Sequence, residues 1–288
     1  MRRFLRLFPH YWLSFLLMVV WNILNNPKWR ELSLSVLTTD VFLEFIGMQI
    51  LAPFSSASNG ITWYISALLL WLPLFVYLLR NHEKATYFIS FFVGIFVYGF
   101  FLSKWNHIDF GFVWIGFANG GFVRALGGMS IGVFLFYIYL QISQMHFTKK
   151  AHIVFFAIQV IFMAFVFYSA WKFRQKKIDF VELILIATCI PLAFIENIVL
   201  KRLLNNKIVF FLGGLCYPIY LNQLFVAVLS RIFFNFQNQA FQTFFYIALL
   251  IAFSLIADCI VKHACKNLAK FKPFFIEKND GETYEKTV

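Results

Sequence analysis

The feature that most limits what this chain can become is a series of apolar runs. Each is nearly as long as a bilayer is thick, and charged residues gather only between them. Trp63 to Leu79, Thr86 to Ser103, Ile153 to Trp171 and Phe244 to Val261 are the clearest. Hydrocarbon offers backbone N–H and C=O groups no water, so a chain crosses it only as helices or as a closed barrel. These runs are continuous rather than alternating, which selects helices. Composition agrees: 61% of the residues are hydrophobic and 13% charged, against an apolar share of about half in soluble domains. The expected fold is all-α, a polytopic transmembrane helical bundle of about eight spanning helices.

In chain order, the first span is expected over Tyr11 to Leu24, after a basic opening that holds Arg2, Arg3 and Arg6. Pro9 suits a first helical turn, and Tyr11 and Trp12 suit a membrane interface. Asn25 to Thr62 then forms an outer segment. Within it Val41 to Leu51 is apolar enough for a short helix and too short to cross. Asp40 and Glu44 fall on one face of that helix and are expected to point to solvent. Further spans are expected at Trp63–Leu79, Thr86–Ser103, Arg124–Ile142, Ile153–Trp171, Phe180–Ile198, Ile208–Leu229 and Phe244–Val261. Eight spans place both termini in the cytoplasm, and most basic residues then lie inside. The loop from Lys172 to Lys177 is the exception. A membrane domain over residues 1–272 and a cytoplasmic tail over 273–288 account for the whole chain.

The net charge of +12 does not point to nucleic acid, because the basic residues sit in short clusters at the ends of apolar runs. That pattern sets orientation and meets lipid headgroups. Cys189, Cys216, Cys259 and Cys265 contain no C-x-x-C pair and are expected to be buried small residues. No metal site is expected.

Several side chains carry possible chemistry. Arg3 and Arg6, three apart, share a helix face and can grip a phosphate or carboxylate. His10 stands beside them. His107 and Asp109 lie two apart in the outer loop and form a possible acid–base pair, or simply loop residues. Arg124, at the mouth of a span, either faces a cavity or reaches to the interface. Glu196 pairs with Lys201 and Arg202, and Asp258 with Lys262, four residues on. Gly213, Gly214 and Pro218 soften the seventh span, by close helix approach or by a break, beside the polar Tyr217, Tyr220 and Asn222.

Four stretches, in order, resemble segments of the acyltransferase 3 family of bacterial integral-membrane acyltransferases. They are Arg3-Phe4-Leu5-Arg6 with Phe8-Pro9-His10-Tyr11-Trp12, Trp63-Tyr64-Ile65-Ser66, Arg124 with Gly127, Gly128 and Gly132, and Leu212-Gly213-Gly214-Leu215-Cys216-Tyr217-Pro218-Ile219-Tyr220-Leu221-Asn222. The resemblance implies transfer of an acetyl or similar acyl group from acyl-CoA to a hydroxyl of a cell-surface polysaccharide such as O-antigen or exopolysaccharide. It implies a location in the bacterial inner membrane. Arg3 and Arg6 would bind acyl-CoA, with no bound cofactor, and Trp63, Ser66, Arg124, Tyr217, Tyr220 and Asn222 would line the pocket. Membrane lipid, a carbohydrate acceptor and acyl-CoA are the partners implied.

The chain departs from the family pattern at its start, which matches the family's third helix. The family's two opening helices, and the histidine thought to be catalytic, have no counterpart. Cys216 stands where serine is common, and Gln223 where histidine is frequent. His10 and His107 are the candidate replacements for the missing base. The alternatives are an inactive or N-terminally truncated member of the family, or a transporter or flippase of lipid-linked sugars.

Overall fold

The computed structural model describes residues 7–31, 34–52, 58–108, 114–116, 118–172, 177–195, 204–234 and 238–270. In order, the helices are α1 (Phe8–Asn25), α2 (Pro27–Glu31), α3 (Leu34–Phe45), α4 (Trp63–Asn81), α5 (Glu83–Trp105), α6 (Gly120–Ser143), α7 (Lys149–Lys172), α8 (Ile178–Phe194), α9 (Lys207–Phe233) and α10 (Gln239–Lys270). A 3-10 turn, Gln49–Leu51, precedes α4, and β1 (Trp114–Ile115) pairs antiparallel with β2 (Ala118–Asn119). The all-α expectation holds. Among the described residues six helices are long and apolar enough to cross a membrane: α4, α5, α6, α7, α9 and α10. α1 and α8, expected as the first and sixth spans, are 18 and 17 residues long and are not among those six.

Apolar side chains point outward along these helices, Phe210 at 84% and Phe96 at 72% exposure, as lipid-facing positions do. The cysteines correct the expectation of burial. Cys189 is buried, whereas Cys216 and Cys259 face outward, because in lipid an apolar residue gains nothing by turning inward, and Cys265, past the apolar run, is exposed as well. Tyr11 is 1% exposed, packed inside the protein, whereas its neighbour Trp12 points out at 40%.

The segment expected as one helix over Val41–Leu51 is broken. α3 begins earlier, at Leu34, and ends at Phe45. Gly47 takes φ +78°, the Met48 N–H reaches Leu43 O at 2.7 Å and the Gly47 N–H reaches Glu44 O at 2.9 Å. This is a glycine-terminated Schellman end, which a chain with a Cβ at that position resists. The loop between α5 and α6 is also shorter than expected. Asn119 caps α6 by accepting the Gly121 N–H at 2.9 Å, so the helix opens at Gly120, ahead of Phe122.

The contacts group into two compact units, residues 1–14 with 217–288 and residues 15–216. In the larger unit α5 and α6 pair antiparallel from Tyr87 beside Tyr137 to Val97 beside Gly127. Tyr87 meets Tyr137 with centroids 5.0 Å apart, Phe91 meets Phe134 at 4.6 Å, and two glycines lie between these and the C-terminal end of α5. A Cβ at Gly94 would sit 2.7 Å from Ile131 Cγ1, and one at Gly127 would sit 2.6 Å from Val97 Cγ1. Small residues here let two backbones approach, the packing that lipid favours. Gly213 and Gly214, read as candidates for that role, have nothing within 4 Å of an added Cβ. α9 runs on through Pro218 as one helix.

α7 and α8 are joined by polar contacts. Gln159 Nε2 donates to Cys189 O at 3.3 Å, and the Ser169 hydroxyl donates to Glu182. In the smaller unit the Ser14 hydroxyl donates to Leu221 O at 2.7 Å, and Tyr246 OH donates to Gln223 O at 3.3 Å. The Ser14 and Tyr246 hydroxyls thus take backbone acceptors instead of facing hydrocarbon unpaired.

Candidate active site

His10 lies in the first turn of α1, which Phe8 and Pro9 open. A proline there forfeits no helical hydrogen bond, so the ring of His10 is carried on rigid backbone. Its Nε2 stands 3.2 Å from Asp258 Oδ1 on α10, and the two side chains are 16% and 18% exposed. Asp258 Oδ2 accepts from Lys262 Nζ at 2.6 Å, one helical turn on. The expected Asp258–Lys262 pair is therefore present, and the carboxylate has a second partner that spacing alone did not reveal. In the tautomer that donates from Nε2, the acceptor lone pair of His10 lies on Nδ1.

The Tyr217 ring stands edge-on to His10, with centroids 6.1 Å apart, and its phenol donates to Leu7 O at 3.2 Å. Tyr220 is half-buried on the same helix. Asn222, 3% exposed, donates from Nδ2 to Pro218 O at 2.9 Å, and no group among the described residues meets its Oδ1. The smaller unit thus brings His10 and Tyr217 together with Asp258, and holds Asn222 in its interior. Arg3 and Arg6 lie outside the described residues.

The larger unit places the other expected pocket residues at the N-terminal ends of α4 and α6. The Arg124 guanidinium lies over the Trp63 ring, 5.4 Å from its centroid. This is a cation–π seat, which either a cavity or an interface position accommodates. Ser66 is fully buried with no partner for its hydroxyl among the described residues. Trp71, two turns below Trp63, stacks on Phe122 at 4.4 Å and donates from Nε1 to Phe122 O at 3.0 Å. Ile50, Ala67 and Ala125 form the small core beside them.

Asp40 and Glu44 correct the reading of a solvated face: they are 1% and 0% exposed. Glu44 Oε2 accepts the Ser58 N–H at 2.8 Å, and Oε1 accepts the Asn59 N–H at 2.9 Å. The Thr62 hydroxyl stands 3.4 Å from Oε1 and 2.8 Å from Asn59 O, and also meets Gln49 Oε1. Gln49 Nε2 and Asn22 Nδ2 bind the carbonyls of Asn59 and Ser58 at 3.0 and 3.1 Å. The carboxylate therefore substitutes for missing backbone acceptors ahead of α4 and fixes the turn that delivers Trp63. Burial raises the Glu44 carboxyl above its usual 4.5, and the Ser58 and Asn59 N–H groups and the Thr62 hydroxyl partly offset that rise. An i, i+4 acidic pair is the only mark this cluster leaves in the sequence, and it is the same mark that an exposed face leaves.

His107 follows the left-handed Asn106 (φ 61°) at the end of α5 and is half-buried. Its neighbour Ile108 donates its N–H to Asp179 Oδ2 at 3.4 Å. Asp109, the other half of the expected pair, lies outside the described residues, as do Glu196, Lys201, Arg202, residues 173–176 of the basic loop and the tail from 271. Among the described residues no cluster of three or more His, Cys, Asp or Glu side chains is placed to hold a metal ion. Comparison of the chain with family models, with curated proteins and with solved structures finds no match.

Proposed function

We propose that the chain is an acyltransferase 3 family membrane enzyme that moves an acetyl or similar acyl group from acyl-CoA to a hydroxyl of a cell-surface carbohydrate. The observation that carries this reading is the His10–Asp258 pair, 3.2 Å apart. It puts a histidine, oriented by a carboxylate, four residues after Arg6. A base positioned by a carboxylate is an arrangement that supports acyl transfer to a hydroxyl.

In the proposed reaction the acceptor oxygen bonds to the thioester carbonyl carbon and the C–S bond breaks. The hydroxyl proton passes to His10 Nδ1 and then to the departing CoA thiolate. Arg3 and Arg6 hold the CoA phosphates, Asp258 stabilises the imidazolium, and Tyr217 fixes the ring edge-on. Trp63, Ser66 and Arg124 in the larger unit, and Tyr220 and Asn222 in the smaller, are each proposed as substrate contacts, and the bacterial inner membrane, with both termini cytoplasmic, is the proposed location.

The test is reconstitution of the chain in liposomes with labelled acetyl-CoA inside and oligosaccharide acceptors of graded structure. The expected result is labelled ester on the acceptor. His10→Ala should lower the rate by about a hundredfold or more, and Arg3→Ala with Arg6→Ala should weaken acyl-CoA binding. Intact acyl-CoA binding in the double arginine variant would remove the phosphate role. Movement of a lipid-linked sugar without ester formation would replace the enzyme reading with a flippase.

A further inference from the structure

Two cavities of the larger unit share a wall and differ sharply in chemistry. The first, about 340 Å³, lies between α5, α6 and α8 and is lined by apolar side chains, among them Phe91, Ile95, Ile138, Ile184 and Leu192; its one hydroxyl belongs to Thr188. That hydroxyl is occupied within its own helix, donating to Ile184 O at 2.9 Å. The volume falls at the lower end of the range of about 300–1,000 Å³ found for ligand clefts. Phe134 lines both this cavity and a second one, of about 330 Å³, whose walls include Lys84, Tyr87, Tyr137 and Gln141.

The second cavity sits at the end of the α5–α6 pair where Glu83 begins one helix and Ser143 ends the other. Polar groups there are unspent. Tyr87 OH donates to Glu83 Oε1 at 2.9 Å, one turn along α5, so the phenol is committed to that carboxylate. Lys84, Tyr137 and Gln141 make no side-chain hydrogen bond and no ion pair among the described residues. Arg80, Lys149 and Lys150 add positive charge at the same ends of α4 and α7. A cation with two neutral hydrogen-bonding groups, opening onto an oily groove, matches an amphiphile with an anionic head and a hydrocarbon tail.

We propose that this composite cleft binds one anionic phospholipid of the surrounding membrane. The phosphate lies against Lys84, Tyr137 and Gln141, and an acyl chain lies along the α5–α6–α8 groove past Phe134. The proposal rests on the membrane-spanning character of these helices and not on acyl transfer, so it stands or falls separately from the enzymatic reading.

The experiment is native mass spectrometry of the full chain released from nanodiscs holding equal parts of phosphatidylglycerol and phosphatidylcholine with identical acyl chains. The expected result is a retained phosphatidylglycerol molecule, with affinity lowered about fivefold in Lys84→Glu. Lys84→Arg should restore retention. Ala187→Trp, which fills the groove, should abolish it, and thermal melting of the same sample checks that the variant is folded. Equal retention of the two lipids, or unchanged retention in Lys84→Glu, overturns the proposal. Displacement of phosphatidylglycerol by an equimolar isoprenoid phosphate also overturns it, by assigning the cleft to a different lipid.

Discussion

His10 Nε2 and Asp258 Oδ1 meet at 3.2 Å although 248 residues separate them in the chain. The bond ties the first described helix to the last. Asp258 also holds Lys262, whose side chain is 73% exposed, so the two partners of the carboxylate are not equivalent.

That asymmetry fixes the order of effects at this site. His10→Gln leaves Asp258 still paired with Lys262, whereas Asp258→Asn withdraws the anion from both. Asp258→Asn should therefore lower the melting temperature more than His10→Gln. A double-mutant cycle should give a coupling of about 0.5–3 kcal/mol, read from thermal unfolding in detergent. Additive effects would show that the pair is not formed.

Glu44 offers a test by pH. Its folded carboxyl is raised by burial, so between the usual 4.5 and the raised value the folded chain binds more protons than the unfolded chain. Stability must then fall as pH rises through that window and recover on acidification toward it. Glu44→Gln should flatten this part of the curve. Glu44→Ala, which strips two buried N–H groups of their acceptor, should cost about 1–3 kcal/mol for each group left unmet. Melting curves of the three proteins from pH 4 to pH 8 (on the order of half-unit steps suffices) would decide the matter, and parallel curves for wild type and Glu44→Gln would refute the buried-carboxylate account.

The glycines of α6 should separate cleanly. Gly127→Ala places a Cβ 2.6 Å from Val97 Cγ1 and 3.2 Å from Tyr98 Cε2, and should destabilise by about 1–3 kcal/mol. Gly132→Ala meets nothing within 4 Å and removes a helix-weakening residue. It should be neutral or gain up to about 1 kcal/mol. Equal melting temperatures for the two variants would contradict the close α5–α6 approach.

Thiol labelling tests the outward cysteines. Cys189, 7% exposed, should resist maleimides in the folded protein. Cys216 and Cys259, outward on α9 and α10, should react in detergent. Cys265, near the end of α10, should also react with an impermeant reagent in membranes, from the cytoplasmic side if the proposed orientation is right. Labelling of Cys265 from the opposite side alone would reverse that orientation.

Helices were legible in the sequence because lipid leaves a long apolar run no other fold. The spans from α4 to α7, α9 and α10 lie close to where the apolar runs place them. Local chemistry was legible as well: the Asp258–Lys262 pair follows from four-residue spacing, and Pro9 in a first turn follows from its missing N–H. The partners of these residues were not. Apolar periodicity says which residues leave water, but in a bilayer nearly every face does, so hydrophobicity no longer tells inside from outside. Only the tertiary structure could turn Cys216 and Cys259 outward, bury Asp40 and Glu44, and make Gly94 and Gly127 the contact glycines instead of Gly213 and Gly214. Those outcomes depend on which backbone comes near which, and a single helix carries no record of its neighbour.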